Sequence, residues 1–221
     1  MKDFVVCIDG PAASGKTSVS RELAARLGCQ WVSTGAFYRG LAFVAVQKDV
    51  NLEDEAALSE LAINQTLWSV RMSAGQTDVL FQGKVITYQL NDERVGFAAS
   101  KISHFPKVRA DLLPMQRACK LSGLGLVAEG RDCGTVVFPL AEVKFYLTAN
   151  QMDRAQRRAS ELGLSTEETV QAQRLRDQQD SSRPTAPLIV AKDALIVDTT
   201  QMSFSEVVTE VERVARARLQ P

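Results

Sequence analysis

The chain has 221 residues, enough for one substantial core with small insertions and short for two full-size domains. Its 26 Lys and Arg balance 26 Asp and Glu, which argues against a nucleic acid polymer or an anionic membrane as main partner. No apolar run approaches the roughly 18 residues that span a bilayer, and Asp9 breaks the N-terminal run before any cleavage-like pattern, so a soluble cytoplasmic protein is expected.

Phe4 to Asp9 is a short apolar run rich in β-branched residues and predicts the first strand. A helix is expected from Lys16 to Leu27, with Val19, Leu23 and Leu27 on one side. Between them Gly10, Pro11, Ala12, Ala13, Ser14, Gly15, Lys16 and Thr17 form the pattern G-x-x-x-x-G-K-T. Its glycines let successive N–H groups curl around a di- or triphosphate at the positive end of the helix. Lys16 can reach the β and γ oxygens, and the Thr17 hydroxyl can sit on the magnesium that bridges them.

Gly28 is placed to end that helix, Trp31 to Ser33 is a second strand, and a Thr34-Gly35 turn leads into a helix from about Phe37 to Val46. Asn51 to Ile63 reads as another helix with acidic residues in its first turn. The pattern then changes: Leu67 to Met72, Asp78 to Phe81 and Lys84 to Tyr88 alternate, joined by Ala74-Gly75 and Gln82-Gly83, as in an antiparallel meander inserted at about 64–94.

Helical spacing returns at about Val95 to Ser103, and Pro106 opens a helix running towards Lys120 that Pro114 should kink. Gly123 to Ala128 predicts a third core strand, Val143 to Leu147 a fourth and Leu195 to Val197 a fifth. Asn150 can cap a helix starting near Gln151. Ser165 with Glu168 forms a capping box for a helix ending before Pro184, and Ser203 with Glu206 for a last helix carrying Val207, Val208, Val211 and Val214. Strands separated by helices imply a parallel sheet, with binding beyond the strands' carboxyl ends.

At those ends the charged residues gather. Glu129 is expected to follow its strand and to hold water around a magnesium ion, with Gly130 turning the chain and Arg131 and Asp132 following at once. Arg39, in the opening turn of its helix, can clamp a phosphate through two parallel hydrogen bonds. Arg176, Asp180 and Arg183 share one helix face, with Arg183 near its end, and Arg154, Arg157 and Arg158 add a basic cluster on the preceding helix. Two such helices can fold over a triphosphate as a lid that excludes water. Cys7, Cys29, Cys119 and Cys133 have no C-x-x-C spacing and His104 stands alone, so reduced, mostly buried thiols are expected; Cys133 is singled out because Arg131 can lower its pKa. These residues leave open a kinase for a small acceptor such as UMP, AMP or a hydroxy acid, and a nucleotide-dependent switch.

The sequence resembles the bacterial-type cytidylate kinases. The resemblance is carried by residues 10–17, by Thr-Gly-Ala-Phe-Tyr-Arg at 34–39, Ala-Ala-Ser at 98–100 and Phe-Pro-Lys-Val-Arg at 105–109. To these add Glu-Gly-Arg-Asp-Cys-Gly-Thr-Val-Val-Phe-Pro at 129–139, and Arg176, Asp180 and Arg183 ahead of Ala186-Pro187-Leu188. It implies an α/β, P-loop NTPase-like three-layer fold with a five-stranded parallel sheet, a small antiparallel CMP-binding insertion and a helical lid. The single kinase domain then divides into core 1–63, insertion 64–94, core 95–150, lid 151–180 and core 181–221.

The resemblance further implies use of ATP with Mg2+ to phosphorylate CMP or dCMP, and a monomer is expected. By the resemblance, residues 10–18, ending at Ser18, hold ATP, while Thr34, Arg39, Ser100, Arg109, Arg131, Asp132, Asp180 and Arg183 hold CMP; the lid cluster of Arg154, Arg157 and Arg158 is expected to join in holding ATP. Lys16, Arg131, Arg176 and Arg183 are the expected electrostatic group for transfer, with Thr17 on the metal and Glu129 reaching it through water. Two positions depart from the family pattern: Ser33 stands where an aspartate is usual, behind the phosphate clamp, and Asn91 stands about where an arginine often orders the insertion.

Overall fold

The apolar runs of the sequence pair side by side in the computed structural model, which describes residues 3–73, 75–163 and 165–219. Ala74, in the first expected meander turn, lies outside the described residues. Strands β1 (Val5–Asp9), β2 (Gln30–Ser33), β6 (Leu126–Gly130), β7 (Val143–Thr148) and β8 (Leu195–Asp198) form one parallel sheet in the order β2-β6-β1-β7-β8.

Side chains alternate across this sheet, and each face has its own core. Val5 and Cys7 point to the side covered by α2 (Gly35–Gln47), α3 (Glu55–Ile63), α4 (Glu93–Ile102) and α5 (Pro106–Arg117). Val6 and Ile8 point to the side covered by α1 (Lys16–Leu27) and α8 (Phe204–Leu219), where Val207, Val208 and Val211 are buried and Val214 partly so. Helices α6 (Gln151–Leu162) and α7 (Thr166–Ser181) follow β7 and pack on each other. Their caps are the expected ones: the Asn150 side chain accepts from Asp153 N–H, and Ser165 Oγ from Glu168 N–H.

The insertion is a second, antiparallel sheet of β3 (Trp68–Ser73), β4 (Gln76–Phe81) and the two-residue β5 (Lys84–Val85). It rests closely on α2, because a Cβ at Gly40 would lie 2.8 Å from Val79 Cγ1. The third strand is shorter than expected: Thr87 Oγ1 accepts the Val79 N–H, and the chain turns into a 3-10 helix at Thr87–Asn91. Helix α3 starts later than Asn51 because Asp54 is its cap, accepting from Ala57 N–H, while Asn51 closes a turn of its own onto Glu53. Pro114 lies inside α5, which continues to Arg117.

Candidate active site

Parallel pairing sets Asp9 beside Gly130 and Ser33 beside Glu129, so the segments leaving β1, β2 and β6 emerge at one edge of the sheet. They floor a cleft of about 970 Å³, walled by α4, the insertion and α7. The phosphate loop closes one end. A Cβ at Gly10 would lie 2.2 Å from the Leu147 carbonyl oxygen, so only glycine fits, and Gly15 starts α1 at φ 82°. Ser14 Oγ is buried without a hydrogen-bond partner among the described residues, which suits a loop that receives an anion. Thr17 is exposed on the cleft at the first turn of α1.

Lys16 curls back over the loop and donates to Pro11 O at 3.1 Å. Burial, and then repulsion from Arg131, push its ammonium down to about 7. The same conflict recurs opposite the loop. Arg39 is pushed down to about 10 by burial and by Arg176; Arg176 is lowered by burial and Arg131; Arg183 is lowered chiefly by burial. Buried cations that repel one another favour an arriving anion.

Asp180 links two of the expected arginines, accepting from Arg131 Nε at 2.6 Å and from Arg183 Nη2. Burial is the largest influence on its carboxyl, yet these arginines outweigh it and hold the pKa below the usual value. Arg131 also donates to Gly10 O at 2.9 Å, which ties it to the phosphate loop. Arg183 lies just past the end of α7, and its Nε is buried without a partner among the described residues. Arg39 donates to Leu90 O from the second turn of α2, since that helix begins at Gly35 rather than Phe37. Arg39 and Arg176 meet over Gly96 of α4, where a Cβ would lie 2.3 Å from Arg176 Nη2 and 2.9 Å from Arg39 Nη2.

Asp132 lines the cleft, and the buried Arg109 is joined to it, Arg109 Nη2 donating to Asp132 Oδ2. Arg109 Nη1 donates to Ser103 O at 3.1 Å, and its guanidinium lies 5.3 Å from the Tyr38 ring centroid. Thr34 Oγ1 donates to Glu129 O at 3.0 Å, and Ser100 Oγ to Gln179 Oε1 at 3.1 Å.

Glu129 differs from expectation: it is not beyond its strand but buried within β6, accepting from Ser33 Oγ. The serine thus supplies a donor to this carboxylate. Asn91 is exposed at the cleft. Cys133 is also corrected, because burial, and then the Asp9 carboxylate, push its thiol well above the ordinary value, so the neighbouring Arg131 does not activate it.

The basic cluster of α6 divides. Arg154 reaches the phosphate loop and donates to Ala12 O at 3.0 Å; Arg157 donates to Thr199 O at 2.8 Å; Arg158 pairs with Glu93 at the start of α4. Glu93 also lies 3.9 Å from Arg176. Glu93, Gln179 and Asp9 are residues that motif reading passed over, each having its partners far along the chain.

Asp9 carries a testable consequence. Its two oxygens accept the N–H groups of Cys133 and Gly134, 2.8 Å each, and so shape the turn after Arg131 and Asp132. Burial raises its carboxyl to about 6, Asp132 adding to the rise while the two N–H groups oppose it. The folded chain therefore keeps a proton that the unfolded chain has lost, and this contribution to stability falls as pH rises from about 4 to about 6. The fall is on the order of 3 kcal/mol. In urea titrations, the stability of the wild type relative to Asp9→Asn should decline by that amount across this window; a flat difference contradicts the assignment.

A family model described as cytidylate kinase matches residues 6–217. The cytidylate kinase of Bdellovibrio bacteriovorus is 58% identical over 208 residues, covering 94% of this chain and 95% of that protein. That of Aeromonas salmonicida is 43% identical over 220 residues, covering 97% and 95%. Among solved structures, a gluconokinase from Sinorhizobium meliloti shares the fold at TM-score 0.52 with 13% identity, over 98% of this chain and 94% of that one. With the model spanning nearly the whole chain and relatives this similar along almost all of it, the chain belongs to the cytidylate kinase family.

Proposed function

We propose that the protein transfers the γ-phosphoryl group of ATP to CMP, and to dCMP as a second acceptor, giving ADP and the nucleoside diphosphate. The observation that carries this reading is the pairing of two anion-receiving poles across one cleft: the phosphate loop with Lys16, and the guanidinium groups of Arg39, Arg131, Arg176 and Arg183. A nucleotide switch has no use for the second pole.

In this reading the N–H groups of residues 10–18 receive the ATP phosphates, and Arg154 braces them. Arg158 lines the cleft from the same lid, residues 151–180, and Arg157 is turned onto Thr199. Thr34, Arg39, Arg131 and Arg183 face the CMP phosphate, Arg109 and Asp132 the base, and Ser100 and Asp180 the sugar side, with the insertion 64–94 closing over them. CMP's phosphate is largely dianionic near neutral pH, so no general base is needed. The chain's task is to align donor and acceptor in line and to neutralise charge, which falls to Lys16, Arg131, Arg176 and Arg183.

Magnesium suits the donors present: the exposed Thr17 hydroxyl can ligate it, and Glu129, held by Ser33, can order its water. Bound with ATP, it would offset the charge of the phosphates. We take the unit to be a monomer, since one chain supplies both poles, and place it in the cytoplasm, where four unpaired cysteines are at home. Among the described residues no helix is long and apolar enough to cross a membrane.

A coupled ADP-release assay over acceptors tests the proposal. CMP is expected to turn over fastest and dCMP within about tenfold, with UMP and AMP about 10²-fold or more below CMP in kcat/KM. Preference for AMP or a hydroxy acid would overturn it. Calorimetry with CMP alone should find one saturable site, which a switch lacks.

A further inference from the structure

Asp177 belongs to none of the motifs above, yet it joins the lid to the phosphate loop. Its Oδ1 accepts the Ala12 N–H at 3.3 Å and its Oδ2 accepts Arg154 Nη1 at 2.6 Å. Arg154 in turn donates Nη1 to Ala12 O at 3.0 Å and Nε to Ala149 O at 3.1 Å. One turn before Asp177, Gln173 donates to Arg154 O at 3.1 Å. Both polar backbone groups of Ala12 are thereby held from the two lid helices, the N–H from α7 and the carbonyl from α6.

Helix α7 has another tie to this loop, through Asp180 and Arg131 to Gly10 O. Asp177 is therefore not needed merely to bring α7 to the site. What it adds is local: it fixes the guanidinium of Arg154, a nearly buried group whose side chain is 9% exposed, against the loop that receives phosphate. A long side chain pinned at Nε and Nη1 has little rotamer freedom left to lose when an anion arrives. Without the carboxylate, Arg154 would keep the Ala149 and Ala12 carbonyls as acceptors but lose its charged partner, and its hold on the loop would weaken.

We infer that Asp177 is a positioning residue for the phosphate donor, acting by holding Arg154 on the Ala12 segment so that ATP meets a preset cation. The inference rests on the proposed phosphoryl transfer from ATP, and ADP binding provides a readout that does not depend on turnover.

The test compares the full chain with Asp177→Ala, Asp177→Asn, Arg154→Ala and the double variant Asp177→Ala/Arg154→Ala. Asp177→Ala should lower kcat/KM for ATP about 10- to 100-fold and weaken ADP binding in calorimetry by a similar factor, while CMP affinity stays within about twofold. Asp177→Asn keeps an acceptor for the Ala12 N–H but not the charge facing Arg154, and should recover part of the loss. On the Arg154→Ala background, removing Asp177 should cost less than about threefold, because its route of action is already gone. Equal cost on both backgrounds, unchanged ADP binding, or tighter ADP binding as expected of a competing internal anion, would each overturn the inference. Should Asp177→Ala not fold, Asp177→Asn decides, since it must raise KM for ATP severalfold. A wild type that binds ADP but leaves CMP unphosphorylated defeats the kinase reading instead.

Discussion

Replacing Lys16 with methionine is expected to lower kcat about 10³-fold or more while leaving CMP affinity within about twofold. Methionine nearly matches the length and apolar stem of lysine, so the buried slot stays filled and the loss isolates the ammonium. That ammonium is held over the loop by Pro11 O at 3.1 Å and pushed down to about 7 by burial and by Arg131. An arriving phosphate reverses the balance, since its negative charge favours the protonated amine. Nucleotide binding near pH 7 should therefore take up part of a proton, seen as a binding enthalpy that varies with the ionisation heat of the buffer. Lys16→Met should remove the lysine's share of that variation as it lowers turnover. Undiminished conversion of CMP by the variant would remove Lys16 from the mechanism.

Lys16 was legible because its whole context is local: eight contiguous residues between a strand and a helix specify the loop. The capping pairs Ser165 with Glu168 and Ser203 with Glu206 were legible for the same reason, each closing within three residues. The end of β6 was placed two residues early because the apolar run ends at Ala128 while the ladder does not; Glu129 and Gly130 still pair with Ile8 and Asp9. Polar residues at the carboxyl ends of buried strands are what a site requires, and they defeat a boundary drawn from hydrophobicity.

The arginines of α6 show the complementary limit. Arg154, Arg157 and Arg158 share a face by spacing, yet they end on Ala12, Thr199 and Glu93, partners supplied by three other parts of the chain. Asp9 and Asp177 act over 124 and 165 residues, on Cys133 and Ala12, and no local pattern announces either.

Asp132→Asn is expected to lower the ratio of kcat/KM for CMP over UMP about 10²-fold, mostly through loss on CMP. The edge of cytosine presents an exocyclic amine beside acceptors, whereas uracil presents a carbonyl where the amine stood. A carboxylate can only accept, so in the proposed reading Asp132 meets the amine and opposes the carbonyl, with Arg109, joined to it, as the neighbouring donor. Burial holds the Asp132 carboxyl above its ordinary value, a rise that Arg109 and Arg183 limit by favouring the charged form. Asparagine keeps the shape and an oxygen for Arg109, and adds an NH2 group that can meet the uracil carbonyl. Alanine is the poorer probe, because it removes not only the counter-charge, which asparagine also lacks, but the oxygen that the buried Arg109 donates to, a change that costs about 3–5 kcal/mol and threatens the fold. Competition between CMP and UMP in one reaction measures the ratio directly; if it is unchanged in Asp132→Asn, the pair is structural and the base is read elsewhere.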